Sequence, residues 1–288
     1  MNKSQQAKIE SLKKRYYQAI EGKNSVLELI DSAEISENIY NSNAIENSTL
    51  SLEETEKILL EIDLDRYVSA REIFEAKNLE RVMRYVNKKT EKSQLDTSII
   101  LLLHKMLMSN IDDTIAGRFR ENGELVRVGS HIAPMPSELN RLMKNLLFEY
   151  YTSDTQNIVT RISALHLAFE HAHPFIDGNG RIGRVINNYL LMQAGHVPIN
   201  IKFINRAQYY DAFSEYDLTG KVQKMEEIVY LALSNSFHKR LAYLSCRKII
   251  KLADYAKMEK ISYSNLLNKA NRQTIEAFLE KNVWKIGI

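Results

Sequence analysis

The sequence predicts a mainly α-helical protein, and three observations lead to this prediction. Glycine (10 residues) and proline (4 residues) are scarce for a chain of 288 residues, which disfavours turn-rich sandwiches and barrels. Apolar residues recur every three or four positions over most of the chain, as on one face of an amphipathic helix. Apolar residues make up 44% and charged residues 26% of the chain, a globular composition that excludes disordered and collagen-like proteins.

The composition also limits the compartment and the kinds of site. Cys246 is the only cysteine, which excludes an intrachain disulfide and a cysteine-based zinc site. The first residues lack the apolar segment of a signal peptide, and no apolar run reaches the ~18 residues of a membrane span. We therefore expect a soluble, cytoplasmic protein that has no membrane partner.

Helical periodicity predicts a series of helices ahead of the last fifty residues. In the second helix the five-residue step from Ile30 to Ile35 predicts a break near Asp31. Ser51 and Glu54 have the spacing of a capping box at the start of the third helix. The predicted helices cover residues 3–22, 25–45, 51–62, 70–88, 99–108, 137–151, 156–171, 181–194, 206–216 and 221–244.

A short β-hairpin, which we call the flap, is predicted where helical periodicity fails. Glycines and prolines interrupt this segment at Gly117, Gly123, Gly129, Pro134 and Pro136. Between them apolar and polar residues alternate, as in an exposed strand. An exposed strand of this kind can add to an extended peptide segment through main-chain hydrogen bonds. The residues expected to make these main-chain contacts are Leu125, Val126, Arg127 and Val128.

The last fifty residues differ from the rest in charge. Residues 239–288 hold eleven Lys and Arg against four Asp and Glu, although the whole chain has a net charge of only +3. Three short helices are predicted at 248–257, 262–269 and 271–280, followed by an extended segment at 283–286. This order is the outline of a winged helix-turn-helix, so DNA is one candidate partner. The alternative is a helical cap or a dimerisation element with Trp284 in its core, which leaves a homodimer open.

The segment from His173 to Arg184, which reads HPFIDGNGRIGR, concentrates the residues that carry chemistry. Pro174 ends a helix and leaves the His173 imidazole at the helix terminus, facing a loop. The glycines let the backbone turn sharply and let a ligand approach the main chain closely. The next helix directs its unpaired N–H groups into this loop, which makes an anion site. The residues expected to bind there are Gly178, Asn179, Gly180, Arg181 and Arg184.

Charge and spacing make this segment a candidate site for di- or triphosphate chemistry. Arg181 and Arg184 are three positions apart on a helix, so both guanidiniums can reach one anion. Asp177 is suited to Mg²⁺, which binds one or two carboxylates together with phosphate oxygens. His171 and His173 with Asp177 are a weaker candidate for a metal site, because this set lacks the usual ligand count of zinc.

The same twelve residues match the signature H-x-F-x-(D/E)-G-N-G-R-x-x-R of the Fic (filamentation induced by cyclic AMP) family at every specified position. The flap and the segment YYDAF at 209–213 also resemble this family, and the resemblance extends over residues 30–235. It implies a helical Fic bundle with a β-hairpin flap. It also implies transfer of AMP from ATP to a Ser, Thr or Tyr hydroxyl of a target protein, with self-modification included.

The resemblance implies a role for each matching residue. His173 would be the general base, and Asp177 would hold Mg²⁺. The glycine loop and the two arginines would bind the phosphates, with Arg184 on the γ-phosphate. Tyr209 and Tyr210 would flank the adenine. A phosphorylating branch of the superfamily has lysine where this chain has Gly180, so glycine favours nucleotidyl transfer.

Residues 42–47, which read SNAIEN, fit a second pattern of this family, (S/T)-x-x-x-E-(G/N), that marks an inhibitory helix. Ser42, Glu46 and Asn47 occupy its specified positions. The resemblance implies that Glu46 pairs with Arg184 and keeps the γ-phosphate from that arginine. The chain is thus predicted to have three parts: N-terminal helices with the inhibitory motif (1–65), a catalytic core (66–238) and a winged-helix-like module (239–288).

The leading interpretation is a self-inhibited protein adenylyltransferase that uses ATP and Mg²⁺. A second interpretation is a nucleotide-sensing regulator that binds DNA through the C-terminal module. A third is a hydrolase that removes AMP from a target, with Glu46 positioning the water.

Overall fold

The fold is known from a computed structural model that describes residues 1–89, 93–128, 131–153 and 157–288. Gly129 of the flap and the predicted helix start at Gln156 lie outside the described residues. The helices are α1 Lys3–Ile20, α2 Asn24–Ile45, α3 Leu52–Leu59, α4 Ala70–Lys89, α5 Thr97–Met108, α6 Leu139–Thr152, α7 Ile158–Ala172, α8 Asn179–Gln193, α9 Arg206–Thr219, α10 Gln223–Ser245, α11 Leu252–Met258 and α12 Tyr263–Asn271. The strands are β1 Arg127–Val128, β2 His131–Ile132, β3 Ile249–Lys251, β4 Ala277–Glu280 and β5 Val283–Gly287.

The mainly helical fold is confirmed, and so is the capping box. Ser51 Oγ accepts a hydrogen bond from the Glu54 N–H at 3.1 Å, and the Glu54 carboxylate accepts one from the Ser51 N–H at 2.8 Å. Among the described residues, no helix combines the length and the apolar character that crossing a membrane requires.

The chain divides into two compact units. The first contains residues 1–34, 197–200 and 227–288, and the second contains residues 35–196 and 201–226. The His173–Arg184 segment, the flap and residues 42–47 all belong to the second unit. The division into three parts at residues 65 and 238 remains a prediction.

Helix α2 is continuous, so the predicted break near Asp31 is wrong. Ile30 and Ile35 are both buried, but Ile30 belongs to the first unit and Ile35 to the second. The two halves of α2 therefore need not share one apolar stripe, and the five-residue step between the isoleucines does not require a break.

In the second unit, α7 packs against α6 and α8, and α4 packs against α5 and α8. The α7–α8 pair fills the core with fully buried apolar side chains, among them Ile162, Phe169, Ile182 and Ile186. The loop between these two helices carries the signature residues, so it is anchored at both ends by the core.

In the first unit, the C-terminal strands form an antiparallel sheet in the order β3-β5-β4, and α11 and α12 lie between β3 and β4 in sequence. The helix predicted at 271–280 is therefore wrong, and the one predicted at 248–257 begins as strand β3. Gln273 has a positive φ of 54°, and its side chain donates to the carbonyls of Ala270 and Ala277, which fixes a turn. Pairing of β4 with β5 and burial of Phe278 override the weak helical preference of this segment.

A buried ion-pair cluster lies inside the first unit. The Arg240 side chain is 1% exposed, and its Nη2 lies 2.6 Å from both Asp31 Oδ1 and Glu34 Oε2. Lys239 Nζ lies 2.7 Å from Glu280 Oε1. At least two of the basic residues counted in the C-terminal module are therefore neutralised internally.

Replacing Arg240 with methionine is expected to lower the free energy of unfolding by about 3–5 kcal/mol, because Asp31 and Glu34 lose their shared cation. Urea unfolding followed by circular dichroism measures this change. The exposed Arg247 is the matched control, and Arg247→Met is expected to change the stability by no more than about 0.5 kcal/mol. Equal effects of the two substitutions would show that the buried cluster does not stabilise the fold.

Candidate active site

His173 ends helix α7 in the left-handed conformation, with φ 44°. Its N–H donates to the Phe169 carbonyl at 3.0 Å, which holds this unfavourable backbone geometry in place. Burial lowers the pKa of His173 to about 4. The imidazole is therefore neutral at pH 7 and can accept a proton.

The loop after His173 is braced by its own side chains. The Asn179 amide donates to the Phe175 carbonyl and its oxygen accepts from the Phe175 N–H, both at 2.9 Å. Gly178 has a φ of 81° at the N-cap of α8, a geometry that favours glycine. Asn179 was expected to bind phosphate, but its buried side chain is used inside the loop. Only its backbone remains for an anion.

His104 supports the signature loop, a role that the sequence did not predict. Its Nδ1 accepts from the Gly117 N–H at 3.0 Å, so Nε2 carries the proton and donates to the Asp177 carbonyl at 3.0 Å. The ring stacks on Phe175 with 3.7 Å between the ring centroids. Burial lowers the pKa of His104 to about 4, which keeps this neutral arrangement over the physiological range. A histidine inside the apolar α5 pattern was the only signal available.

Arg120 joins the base of the flap to the signature loop. This buried side chain donates from Nε to the His173 carbonyl at 2.8 Å and from Nη2 to the Pro134 carbonyl at 2.9 Å. The flap is the predicted hairpin, because β1 and β2 pair antiparallel with Arg127 opposite Ile132 and Val128 opposite His131.

Glu46 lies at the N-terminus of helix α8. Its Oε1 accepts from Arg184 Nη2 at 2.9 Å, and it lies so close to Gly180 that a Cβ atom there would collide with it. Helix N-termini attract anions, and the Glu46 carboxylate occupies this position. Ser42 adds two contacts to the same arginine: Oγ accepts from Nε at 3.0 Å, and the carbonyl accepts from Nη2 at 2.8 Å.

Asn47 explains the last position of the inhibitory pattern. It follows α2 with a φ of 70°, a conformation that glycine and asparagine adopt most readily. Its side-chain oxygen accepts from Arg206 Nη2 at 2.6 Å, which ties the end of α2 to the start of α9.

Arg181 and Arg184 have different partners in this structure, although both were expected to reach one anion. Arg181 Nη1 lies 3.1 Å from Glu75 Oε1, and its Nη2 lies 3.0 Å from Asp177 Oδ1. Arg71, on α4, also pairs with Asp177. Arg71 and Glu75 are 102 or more residues before Asp177 in sequence, so periodicity could not assign them to this site.

Asp177 combines the properties of a ligand for a hard cation. Burial would raise its pKa, but Arg181, the Gly178 N–H and Arg71 lower it below the usual range. The carboxylate is therefore ionised, and a third of the side chain is exposed. These properties fit Mg²⁺, provided that Arg71 releases one oxygen.

Tyr209 and Tyr210 differ in their surroundings. Tyr209 is buried, and its hydroxyl lies 2.6 Å from His166 Nε2 and 3.4 Å from Arg184 Nη1. Tyr210 is half-exposed, and its hydroxyl donates to the Ile45 carbonyl at 3.2 Å. Both line a cleft of about 880 Å³ together with Glu46, His173, Asp177 and Gly180.

Glu170 also lines this cleft, although the sequence did not predict it as a site residue. Burial and the nearby Glu46 carboxylate raise the pKa of Glu170 to about 8, so its carboxyl group is largely protonated at pH 7. Its Oε1 is shielded from solvent, and within the described part of the chain no group hydrogen-bonds to that atom. A Cβ atom on Gly183 would lie 2.6 Å from this oxygen, which explains the third glycine of the segment.

Glu170→Gln is expected to reduce the loss of stability at alkaline pH. The folded-state pKa of Glu170, about 8, is above the ordinary value of 4.5, so its contribution is present below pH 4.5 and is lost as the pH rises through 8. Melting temperatures at pH 5.5 and pH 8.5 measure the difference. The control is Glu149→Gln, on the exposed side of α6. A wild-type pH dependence retained in Glu170→Gln would contradict the raised pKa.

Residues 94–191 match the model of the Fic/DOC family. The chain is 34% identical over 215 residues to a protein adenylyltransferase Fic of Drosophila erecta, which covers 71% of this chain and 42% of that protein. The corresponding Drosophila mojavensis protein is 34% identical over 67% of this chain and 38% of its own length. The chain thus spans about two fifths of the curated relatives it matches.

Solved structures share the fold at lower identity. Fic-1 (residues 134–508) of Caenorhabditis elegans superimposes with a TM-score of 0.74 and 23% identity, over 83% of this chain and 71% of that one. A Fic family protein from Desulfovibrio desulfuricans superimposes with a TM-score of 0.65 and 19% identity, over 97% and 95% of the two chains. Because residues 94–191 contain the complete signature and match the family model, this chain contains a domain of the Fic/DOC family.

Proposed function

We propose that this protein is a self-inhibited adenylyltransferase that transfers AMP from ATP to a hydroxyl group of a protein. The observation that carries the proposal is the position of Glu46, a carboxylate that occupies the anion site at the N-terminus of α8 in the same cleft as the neutral His173. The Drosophila relatives that cover two thirds of the chain are named protein adenylyltransferases, which supports the same reaction.

The positions of the site residues support a role for each of them in this reaction. His173 accepts the proton of the target hydroxyl, since its imidazole is neutral and lines the cleft. The backbone of Gly178, Asn179 and Gly180 binds the phosphates, and Arg181 supplies positive charge beside them. Asp177 would hold Mg²⁺, which supplies positive charge to the phosphate oxygens when bound. Tyr209 acts by holding the Arg184 side chain in position through its hydroxyl group. Tyr210 is partly exposed in the cleft, where it can contact the adenine of ATP.

Glu46 inhibits by competition for Arg184. The γ-phosphate needs this guanidinium, which now donates to Glu46 and Ser42. A negative carboxylate at the same place also repels the phosphate. ATP can then bind only in a pose that leaves its α-phosphate out of line with the target hydroxyl, so positioning, the main source of rate in this chemistry, is lost.

The flap is the proposed binding site for the target. Leu125, Val128 and Ile132 are 64%, 43% and 70% exposed, an unusual amount of free apolar surface for so short a hairpin. The Ala133 N–H donates to the Val126 carbonyl at 3.1 Å, which continues the pairing toward the base of the flap. An extended target segment can add to the edge of β1 and bring its hydroxyl to His173.

Intact-mass spectrometry of the full chain and of Glu46→Gly tests the reaction. Each protein is incubated with Mg²⁺ and one of the four nucleoside triphosphates, alone and with a cell lysate. A gain of one AMP on the chain or on a lysate protein, in the presence of ATP, is the expected result. No nucleotide transfer by Glu46→Gly, with folding and ATP binding intact, would contradict the proposal.

A second candidate function is DNA binding by the first unit. Two short helices, α11 and α12, followed by the paired strands β4 and β5 support this candidate, and so do Lys269 and Arg272, which are exposed at the end of α12. We expect a salt-sensitive gel shift of the full chain on duplex DNA. The shift should weaken in a Lys269→Gln, Arg272→Gln double variant but not in Lys13→Gln, on α1. The absence of a salt-sensitive shift of the full chain would contradict DNA binding, and equal shifts of the three proteins would contradict binding through α12.

A further inference from the structure

Three elements of the second unit bring two imidazoles and a carboxylate together. His131 belongs to β2 of the flap, His171 to the last turn of α7 and Asp217 to α9. One ligating atom of each residue lies within 4.8 Å of the other two. All three residues line the cleft, on the side of the flap.

The hydrogen bonds of the two histidines indicate which atoms would bind an ion. His131 Nε2 donates to the His171 carbonyl at 2.8 Å, which leaves the lone pair on Nδ1. His171 Nδ1 donates to Asp217 Oδ1 at 2.8 Å, so an ion bound by these two atoms takes the place of this proton, and the ring proton of His171 is then on Nε2. Histidines that bind metals usually donate their other N–H to a carbonyl or a carboxylate in this way, because the bond orients the ring.

The two rings lie against each other, with their centroids 4.0 Å apart and an interplanar angle of 33°, so at least one ring must rotate for both lone pairs to reach one ion. The side chains of His171 and Asp217 are 41% and 29% exposed, which leaves room for the rotation that brings the donors to the ~2.0–2.2 Å that Zn²⁺ requires.

The donor set selects a class of metal. Two imidazoles and one carboxylate suit Zn²⁺ and similar transition metals, whereas Mg²⁺ prefers oxygen ligands. The set therefore differs from Asp177, which offers only carboxylate oxygen. Three protein ligands leave a fourth position open.

We propose that His131, His171 and Asp217 bind one Zn²⁺ ion, which fastens the flap to α7 and α9. A bound ion would leave the hydrogen bond from His131 to the His171 carbonyl in place, would connect His131 to two residues of the core through one metal centre, and would restrict the motion of β1 and β2. Metal binding and flap motion can be measured without nucleotide, so the test of the zinc site does not depend on AMP transfer.

Equilibrium dialysis of the full chain with ZnCl₂ and excess Mg²⁺ tests the binding. One Zn²⁺ per chain is expected, and His131→Gln and Asp217→Asn should each weaken it by at least about tenfold. Glutamine retains a donor for the His171 carbonyl, and asparagine retains an acceptor for His171 Nδ1, so both variants keep the local hydrogen bonds. Asp211→Asn, on the exposed side of α9, is the matched control and should bind as the wild type does.

Limited trypsin digestion gives the readout for the flap. Zn²⁺ should slow cleavage after Arg127 at least about tenfold in the wild type and in Asp211→Asn, but not in the two ligand variants. Zinc binding that is equally tight in all four proteins would overturn the site. Zinc binding that is lost in the ligand variants but never protects Arg127 would overturn the fastening of the flap.

Discussion

Replacing His173 with alanine is expected to abolish AMP transfer while ATP binding changes little. The imidazole acts as a base only in the transfer step, and a positioned base contributes about 10²–10⁴ to the rate. The phosphates are bound instead by the backbone around Gly180 and by the arginines. Burial keeps the His173 pKa at about 4, so alanine removes a neutral proton acceptor rather than a charge from the cleft.

The loss is best measured in the Glu46→Gly background, where the inhibition is removed and the signal is high. Transfer is followed by intact-mass spectrometry, and ATP affinity by calorimetry. His173→Asn is the second variant, because asparagine tolerates the positive φ at this position better than alanine does. Undiminished transfer by either variant would show that His173 is not the base.

Glu46→Gly is expected to raise AMP transfer more than about tenfold, which corresponds to about 1.4 kcal/mol of activation free energy. The substitution frees Arg184, whose side chain is 8% exposed and bonded to Glu46 at 2.9 Å. It also removes a negative charge beside Gly180, at the anion site of α8. Both changes favour the pose in which the α-phosphate is in line with the target hydroxyl.

Two further variants separate the charge of Glu46 from the backbone effect of glycine. Glu46→Gln removes the charge without the added backbone freedom of a glycine just after α2, and it should act in the same direction. Glu28→Gly, at an exposed position inside α2, tests whether a glycine that weakens this helix changes the activity, and it should leave the activity unchanged. Adding Arg184→Ala to Glu46→Gly should remove most of the gain. Equal activity of Glu46→Gly and wild type would show that Glu46 does not inhibit.

Local patterns predict the helices of this protein well, because helices such as α4, α5 and α6 bury apolar side chains three or four positions apart. The capping box at Ser51 follows directly from residue spacing. The prediction of a helix at 271–280 is wrong because of tertiary structure, since this segment contains strand β4, which pairs with β5. In α2 the error is the opposite one, because a break was predicted where the helix is continuous. The two halves of α2 belong to different units, so they do not need a common apolar stripe.

The candidate site is predictable where its residues are adjacent in sequence, and less so elsewhere. His173, Asp177 and the glycine loop form one ordered segment, and Glu46 belongs to a short pattern of its own. Glu170 is part of a helix whose pattern gives no sign that its carboxyl group is shielded. The sequence places His171 close to His173 and Asp177, whereas the fold pairs it with residues 40 and 46 positions away.

ATP that is labelled at a single phosphate distinguishes transfer of AMP from transfer of the γ-phosphate. Glu46→Gly is incubated with Mg²⁺ and with ATP that carries the label on either the α- or the γ-phosphate, and protein-bound label is counted. We expect protein to acquire the α-label and not the γ-label, at a rate well above that of the wild type. Incorporation of the γ-label, or equal α-label in Glu46→Gly and wild type, would contradict this expectation.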